Sequence, residues 1–361
     1  MRDKGNETVG FLMNKYAFDK RYPALLTPKN VSLLSQIHEL RGRCQVLLRK
    51  HPNETALFIG EAKAESIQAL CRMSGFSLSN ERMIKLTMDK TIPSSRNEQE
   101  VAGYRDAMRY IDQNQAYLSV CPRSIQQIYQ VLHTFVSIHS DSQYRSTEAC
   151  PIDILRGISF RPAPSNEIAD ALQALCDAYE AASNHEFHDP LLLIPMFILN
   201  FLCVFPYQVG MVPMSLLLMR WLFCRAGHEI GRYISLESLI EQNRAACVEA
   251  IQKSVIGWHE DKNDDAPFVG FMLWVTREAY RGFDAKLTKR LSGSSKPDQV
   301  RALIKATPGR ITKSEIMKQC PNIAQVTVQR TLNDLLKSGE IMKISGGRYT
   351  SYIWNTEENE P

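Results

Sequence analysis

Charge is missing where its absence is most conspicuous. From Leu191 to Met219 there is no Asp, Glu, Lys, Arg or His, a run of 29 residues in a 361-residue chain that is 23% charged. Paired cysteines are missing as well. The nine cysteines stand singly at 44, 71, 121, 150, 176, 203, 224, 247 and 320, with no CxxC and an odd count. That argues against a disulfide framework or a structural zinc site and fits buried thiols in a reducing, cytoplasmic setting. The opening MRDKGNETVG has no apolar run of the kind a secretory leader needs. Neither an internal repeat nor a low-complexity tract is present.

What is there reads as helix. Leu33, Leu34, Ile37, Leu40, Val46 and Leu47 recur at near-helical spacing. A loop at His51-Pro52-Asn53 precedes a second helix over about 54–73, and Ser74-Gly75 breaks it. Ser79 or Asn80 caps a third helix. NEQEVAGYRDAMRYI and PRSIQQIYQVLHTFVSI are two more amphipathic helices, and another covers 166–182. From Tyr144 to Pro164 the texture changes to Pro, Gly and short β-favouring runs, which predicts a small hairpin or extended loop. Helices resume at YISLESLIEQNRAACVEAI and PFVGFMLWVTREAYRGFDAKL, and SGSSKPD (292–298) is a linker by composition.

The net charge of +4 is unevenly spread. Residues 296–354 hold ten Lys or Arg against four Asp or Glu, while the tail carries Glu357, Glu358 and Glu360. This basic block reads helix, helix, helix, strand pair, with Thr312 or Ser314 capping the second helix and the strands meeting near Gly346-Gly347. That order predicts a winged helix-turn-helix. Val328, Leu332, Leu335 and Leu336 share the buried face of its third helix. Thr327, Gln329, Arg330 and Asn333 are candidates for the major groove, with Lys343 and Arg348 on the wing for phosphate. Such domains also serve as docking or dimerisation modules, so a homodimer is a second expectation.

Three readings of the uncharged run compete. A membrane span needs about 20 apolar residues, and Pro195, Asn200, Pro206, Gln208, Gly210 and Pro213 interrupt every such window. The plain alternative is two buried helices joined by a turn near 207–213. The third reading comes from resemblance. DPLLLIPMFILNFLCVFPYQVGMVPMSLLL, CRAGHEIGRYISLESLIEQNRAA and GWHEDKNDDAPFVGFML together resemble the Fic family, whose active members transfer AMP from ATP to protein hydroxyls. LLTPKNVSLLSQIHELRGR, KTIPSSRNEQEVAGYRDAM and FRPAP resemble a subgroup with an N-terminal regulatory helix and a C-terminal winged helix. The resemblance implies a mainly α fold: an N-terminal helical region (1–95), a Fic-like core (96–291) with a small hairpin flap over Tyr144–Pro164, and a winged helix (296–354).

The family motif, HPFxDGNGRxxR, aligns without gaps to Phe205–Leu216. Pro206 and Gly210 are kept. Phe205 takes the place of the histidine, Val209 of the acid, Met211 of the asparagine, Val212 of the second glycine, and Pro213 and Leu216 of the two arginines. The run is uncharged because its polar positions have become apolar. In the family the histidine is the general base, worth about 10²–10⁴ in rate; Phe205 has no lone pair. Val209 cannot ligate magnesium, and Pro213 lacks the N–H of a phosphate cradle. Gly210 is the one remaining candidate for nucleotide contact. The subgroup's regulatory SxxxEG motif is degraded in parallel: Leu70 and Ser74 replace serine and glutamate, while Gly75 stays.

The expectation is a pseudoenzyme of bacterial regulator type, without cofactor or metal, that binds DNA, a protein segment at the flap, or both. A diverged protein adenylyltransferase or other phosphotransferase, using ATP and magnesium, is the alternative. His185 and His188 beside Asp189 read as a solvated loop rather than a metal site, and His228 and His259 as structural.

Overall fold

Local signals set the helix starts. The Thr27 hydroxyl accepts the Asn30 N–H at 3.2 Å and opens α1 (Pro28–Lys50), with Pro28 at the position where a missing N–H is harmless. A single residue, His51, separates α1 from α2 (Pro52–Ser74), so the expected three-residue loop is shorter: Pro52 begins the helix instead of preceding it. Ser79 caps α3 (Asn80–Thr87) and Ser95 caps α4 (Arg96–Asn114). Next come α5 (Pro122–Leu132), α6 (Ile168–Ser183), α7 (Pro190–Val204) and α8 (Met211–Arg225). The segment expected as one helix over 233–251 is two, α9 (Leu236–Gln242) and α10 (Arg244–Val255), broken at Asn243. Its amide donates back to the Leu239 carbonyl at 2.8 Å, the local competition that disfavours Asn within helices. Helix α11 runs Ala266–Ser292.

The computed structural model describes residues 16–136, 144–146, 160–292, 295–307, 309–344 and 350–355. The hairpin expected over Tyr144–Pro164 falls mostly on 147–159 and lies outside these. The chain divides into two compact units, Met1–Asp284 and Ala285–Pro361. The helices of 1–95 belong to the same unit as those that follow, and the division falls inside α11 instead of the 292–298 linker.

In the first unit the uncharged run is the core. Every residue from Leu191 to Val204 is buried, as is nearly all of α8. Helix α7 packs between α6 and α8, and α8 also meets α4 and α5. Within the run Asn200 donates to the Met196 carbonyl and accepts the Trp258 indole N–H, and Ser215 donates to the Val212 carbonyl, all at 2.8 Å. The buried Tyr207 hydroxyl has no hydrogen-bond partner among the described residues. Helix α2 packs on α4 and α9 around the buried carboxylate of Glu237. The hydroxyls of Ser66, Ser235 and Tyr104 all donate to it. Among the described residues no helix is long and apolar enough to cross a membrane.

The second unit holds α12 (Lys296–Ala306), β1 (Ile311–Thr312), α13 (Lys313–Gln319), α14 (Gln325–Lys337), β2 (Ile341–Lys343) and β3 (Ser351–Trp354). The strands form an antiparallel sheet in the order β1-β3-β2, with Ile311 opposite Tyr352 and Met342 opposite Ile353. The sequence reading had the last two strands and not β1. Thr312 and Glu315 form a reciprocal capping box that starts α13 immediately after it. Val300, Ile304, Ile316, Val328 and Leu332 lie in the core of this unit, together with Ile311 of β1.

Candidate functional site

The turn between α7 and α8 spans Phe205 to Gly210. Phe205 closes α7 in the left-handed region, at φ 51°, and Gly210 opens α8 at φ 78°. A left-handed phenylalanine directly before a proline is doubly unfavourable, and its surroundings hold it. The buried guanidinium of Arg145 donates through Nε to the Phe205 carbonyl at 2.8 Å and through a second nitrogen to the Ala163 carbonyl. The Arg145 N–H also donates to the Pro206 carbonyl at 2.9 Å, and the Ala163 N–H to the Cys203 carbonyl at 3.1 Å. Both described roots of the flap are thereby tied to the turn.

Tyr207 is buried and stacked on Tyr129, with centroids 3.7 Å apart and planes within 10°. The Tyr129 hydroxyl donates to the Val209 carbonyl at 3.3 Å. Burial pushes the Tyr129 phenol up to about 12 and the Tyr207 phenol higher still, so neither is a base at neutral pH.

Beside this turn lies a cavity of about 240 Å³. Leu70 and Ser74 of α2, Glu100 of α4, His133 after α5, and Phe205 with Gln208–Pro213 line it. Val212 and Pro213 line this space and leave it open. Its volume is below the roughly 300–1,000 Å³ of ordinary ligand pockets.

Phe205 and Met211 are buried, Val209 is 45% exposed, and Leu216 is buried. Leu216 and Val212 line a separate void of about 40 Å³ with Met73, Ile198, Cys247 and Phe268. On the regulatory-helix side Leu70 is buried, whereas Ser74 is exposed on the larger cavity. The surroundings are therefore apolar and closed at Leu216 and open at Ser74. Gly75 ends α2 at φ 81°, and the following Phe76 N–H reaches back to the Cys71 carbonyl at 3.0 Å.

His133 was not anticipated, and nothing in the amphipathic spacing of its helix distinguishes it. A Cβ on Gly210 would lie 2.7 Å from its Nε2. Both of its ring nitrogens are buried, with no hydrogen-bond partner among the described residues. Burial, assisted by Arg96, lowers its pKa to about 4. It is a neutral imidazole with enclosed nitrogens, unsuited to take a proton from a substrate hydroxyl.

His38, His185, His188, His228 and His259 are engaged in packing and hydrogen bonds. Asp189 caps α7, accepting the Leu191 N–H at 2.9 Å, and pairs with His38 at 2.6 Å. His188 stacks on Tyr22 and on His185. His228 lies past the end of α8 and not along it, buried, with Nδ1 3.2 Å from the Tyr280 hydroxyl. His259 stacks on Phe160.

In the second unit, Gln329, Arg330 and Asn333 come together on α14 opposite the buried Val328, Leu332 and Leu335. Thr327 is half-buried beside them, Lys343 is exposed on β2, and Arg348 lies outside the described residues. Two neighbours were missed. Lys313 donates to Gln329 Oε1 at 2.7 Å, and Val326 is 79% exposed.

No protein-family model matches the sequence, and no curated protein matches it. The fold does match solved structures. A Fic family protein from Desulfovibrio desulfuricans superposes with TM-score 0.64 at 19% identity, covering 93% of this chain and 98% of that one. A Fic domain containing signaling protein from Bacteroides thetaiotaomicron gives 0.58 at 15%, covering 72% and 99%. Fic-1 from C. elegans gives 0.53 at 16%, covering 80% of each chain. The chain has the fold of Fic family proteins.

Proposed function

We propose that this chain is a Fic-fold pseudoenzyme, which has lost AMP transfer and acts in the cytoplasm as a non-catalytic regulator that binds DNA through its C-terminal unit. The observation that carries this is the turn Phe205–Gly210 with the start of α8. Phe205 and Gly210 are left-handed, and where the resembled motif has a general base, a metal ligand and phosphate donors this chain has apolar side chains. Losses at a base and at an anion hole are worth about 10²–10⁴ and 10²–10³ in rate and do not simply multiply. With both replaced, and with the ring nitrogens of His133 enclosed, useful transfer is not expected.

The DNA reading rests on helix order and charge. The order helix, strand, helix, helix, strand, strand with sheet order β1-β3-β2 supports reading this unit as a winged helix-turn-helix. Arg310, Lys318, Arg330, Lys337 and Lys343 are exposed and make no ion pair among the described residues, which suits a polyanion. The flap is a proposed second surface, for a protein segment, and a homodimer would bring two α14 helices to one duplex.

Two assays test the proposal. Incubation with labelled ATP, magnesium and a protein mixture should give no AMP transfer above a heat-denatured control. Duplex binding should weaken steeply with salt, with log affinity falling by about 0.9 per phosphate contacted for each tenfold rise, and should weaken further in Arg330→Ala. Transfer abolished by substitution at this site would overturn the first part, and salt-independent or absent duplex binding the second. A diverged transferase is favoured by one observation, the open cavity at Gly210, and requires specific nucleotide binding there.

A further inference from the structure

We infer that Val326 and Asn333 are the base-reading residues of α14, Val326 against a thymine methyl and Asn333 against an adenine. The inference rests on the DNA-binding reading above. Val326, Gln329, Arg330 and Asn333 follow the i, i+3, i+4, i+7 pattern that places residues on one face of a helix. That face is turned away from the core, since Val328, Leu332 and Leu335 occupy the other.

Val326 is the apolar member of the stripe and is 79% exposed in the first turn of α14. Valine is a poor choice there on helix propensity, and nothing in the unit packs against it sufficiently to bury it. The first turn is where a recognition helix meets base edges, and the thymine C5-methyl is the apolar feature of the major groove. Two branched methyls at that point match it.

Asn333 is oriented by a chain of side chains. Lys313, the first residue of α13, donates to Gln329 Oε1 at 2.7 Å, and Gln329 Nε2 donates to Asn333 Oδ1 at 3.3 Å. Gln329 is therefore engaged at both ends and serves as a positioning residue. Asn333 keeps one oxygen lone pair and its amide N–H groups, the complement of the adenine N6–H and N7. Seven residues separate Val326 from Asn333, about 10 Å along the helix, or about three base-pair rises. The site should carry a thymine and an adenine about three base pairs apart.

The test uses the full chain and a randomised duplex library to find the preferred site. Each thymine is then replaced singly by deoxyuridine, which removes only the methyl group. At one position the replacement should weaken wild-type binding about three- to fivefold, the effect of one buried methyl. The same replacement should leave Val326→Ala unchanged. Val326 is exposed and Ala is the better helix former, so that variant should fold. Asn333→Ala should lose its preference at one adenine while keeping the wild-type salt dependence. Equal losses in wild type and Val326→Ala at every thymine would overturn the inference and leave duplex binding standing. Failure of the wild type to bind any duplex at low salt would overturn both, and would return α14 to the class of protein-docking surfaces.

Discussion

Arg145 Nε stands 2.8 Å from the carbonyl oxygen of Phe205, the left-handed residue that closes α7. The same guanidinium reaches Ala163, so one buried cation holds both the left-handed end of α7 and the root of the flap. Arg145→Met would leave both carbonyls unpaired in a buried place, at about 1–3 kcal/mol each. The expected loss is about 2–4 kcal/mol in urea unfolding. A loss below about 1 kcal/mol would mean that the turn holds its shape without the latch.

Gly210 and His133 form the second constraint on the turn. Alanine at 210 would take a left-handed conformation costing about 1–2 kcal/mol and would press its methyl on the imidazole, 2.7 Å away. Gly210→Ala should be destabilising by about 2 kcal/mol or more. Adding His133→Ala should recover the steric part and not the backbone part, and a double-mutant cycle on thermal unfolding reads the difference.

Restoring one family residue should not restore function. Leu216→Arg would place a charge among Met73, Ile198, Cys247 and Phe268, with no carboxylate among them. An uncompensated buried charge costs about 3–5 kcal/mol. Loss of soluble, cooperatively folded protein is expected, visible by circular dichroism and thermal unfolding.

Acid should destabilise the first unit through its buried histidines. Burial, with Arg41, lowers His228 to about 4, and His133 is lowered likewise. An unfolded histidine titrates near 6.5. Between 6.5 and 4 the unfolded chain therefore holds more protons than the native one, and stability falls as pH falls; above 6.5 the effect is flat. From pH 7 to 5, His228 should contribute a loss of about 1–2 kcal/mol, and the half-buried His133 less. Asp265, pushed up to about 6 by burial, works in the opposite sense. The readout is accordingly the difference in slope between wild type and His228→Gln, which should be the flatter. Equal slopes would contradict the buried neutral histidine.

Much of this molecule was legible in its sequence, for identifiable reasons. The periodic apolar positions of α1 and α14, the caps at Ser79 and Thr312, and the two helices of the uncharged run follow from rules that act within a few residues. So does the placing of Gly75 and Gly210, which stand at φ 81° and 78°, where the backbone favours glycine. What could not be read depends on distant contacts. Glu237 looks like a surface helix residue until Ser66 and Tyr104 arrive from α2 and α4. Strand β1 is two residues long and exists through its pairing with β3. The placing of His133 over Gly210, the Arg145 latch and the Lys313–Gln329–Asn333 chain all join residues well apart along the chain.

The most direct measurement is calorimetric titration of the purified chain with ATP and magnesium, beside a transfer-competent Fic enzyme as control. On the pseudoenzyme proposal, in which Phe205, Val209 and Pro213 stand where the resembled motif has base, metal ligand and phosphate donor, no saturable heat is expected at millimolar nucleotide. Saturable binding that Gly210→Ala abolishes, in a variant shown to be folded, would contradict the loss of function and would make the 240 Å³ cavity a working nucleotide site.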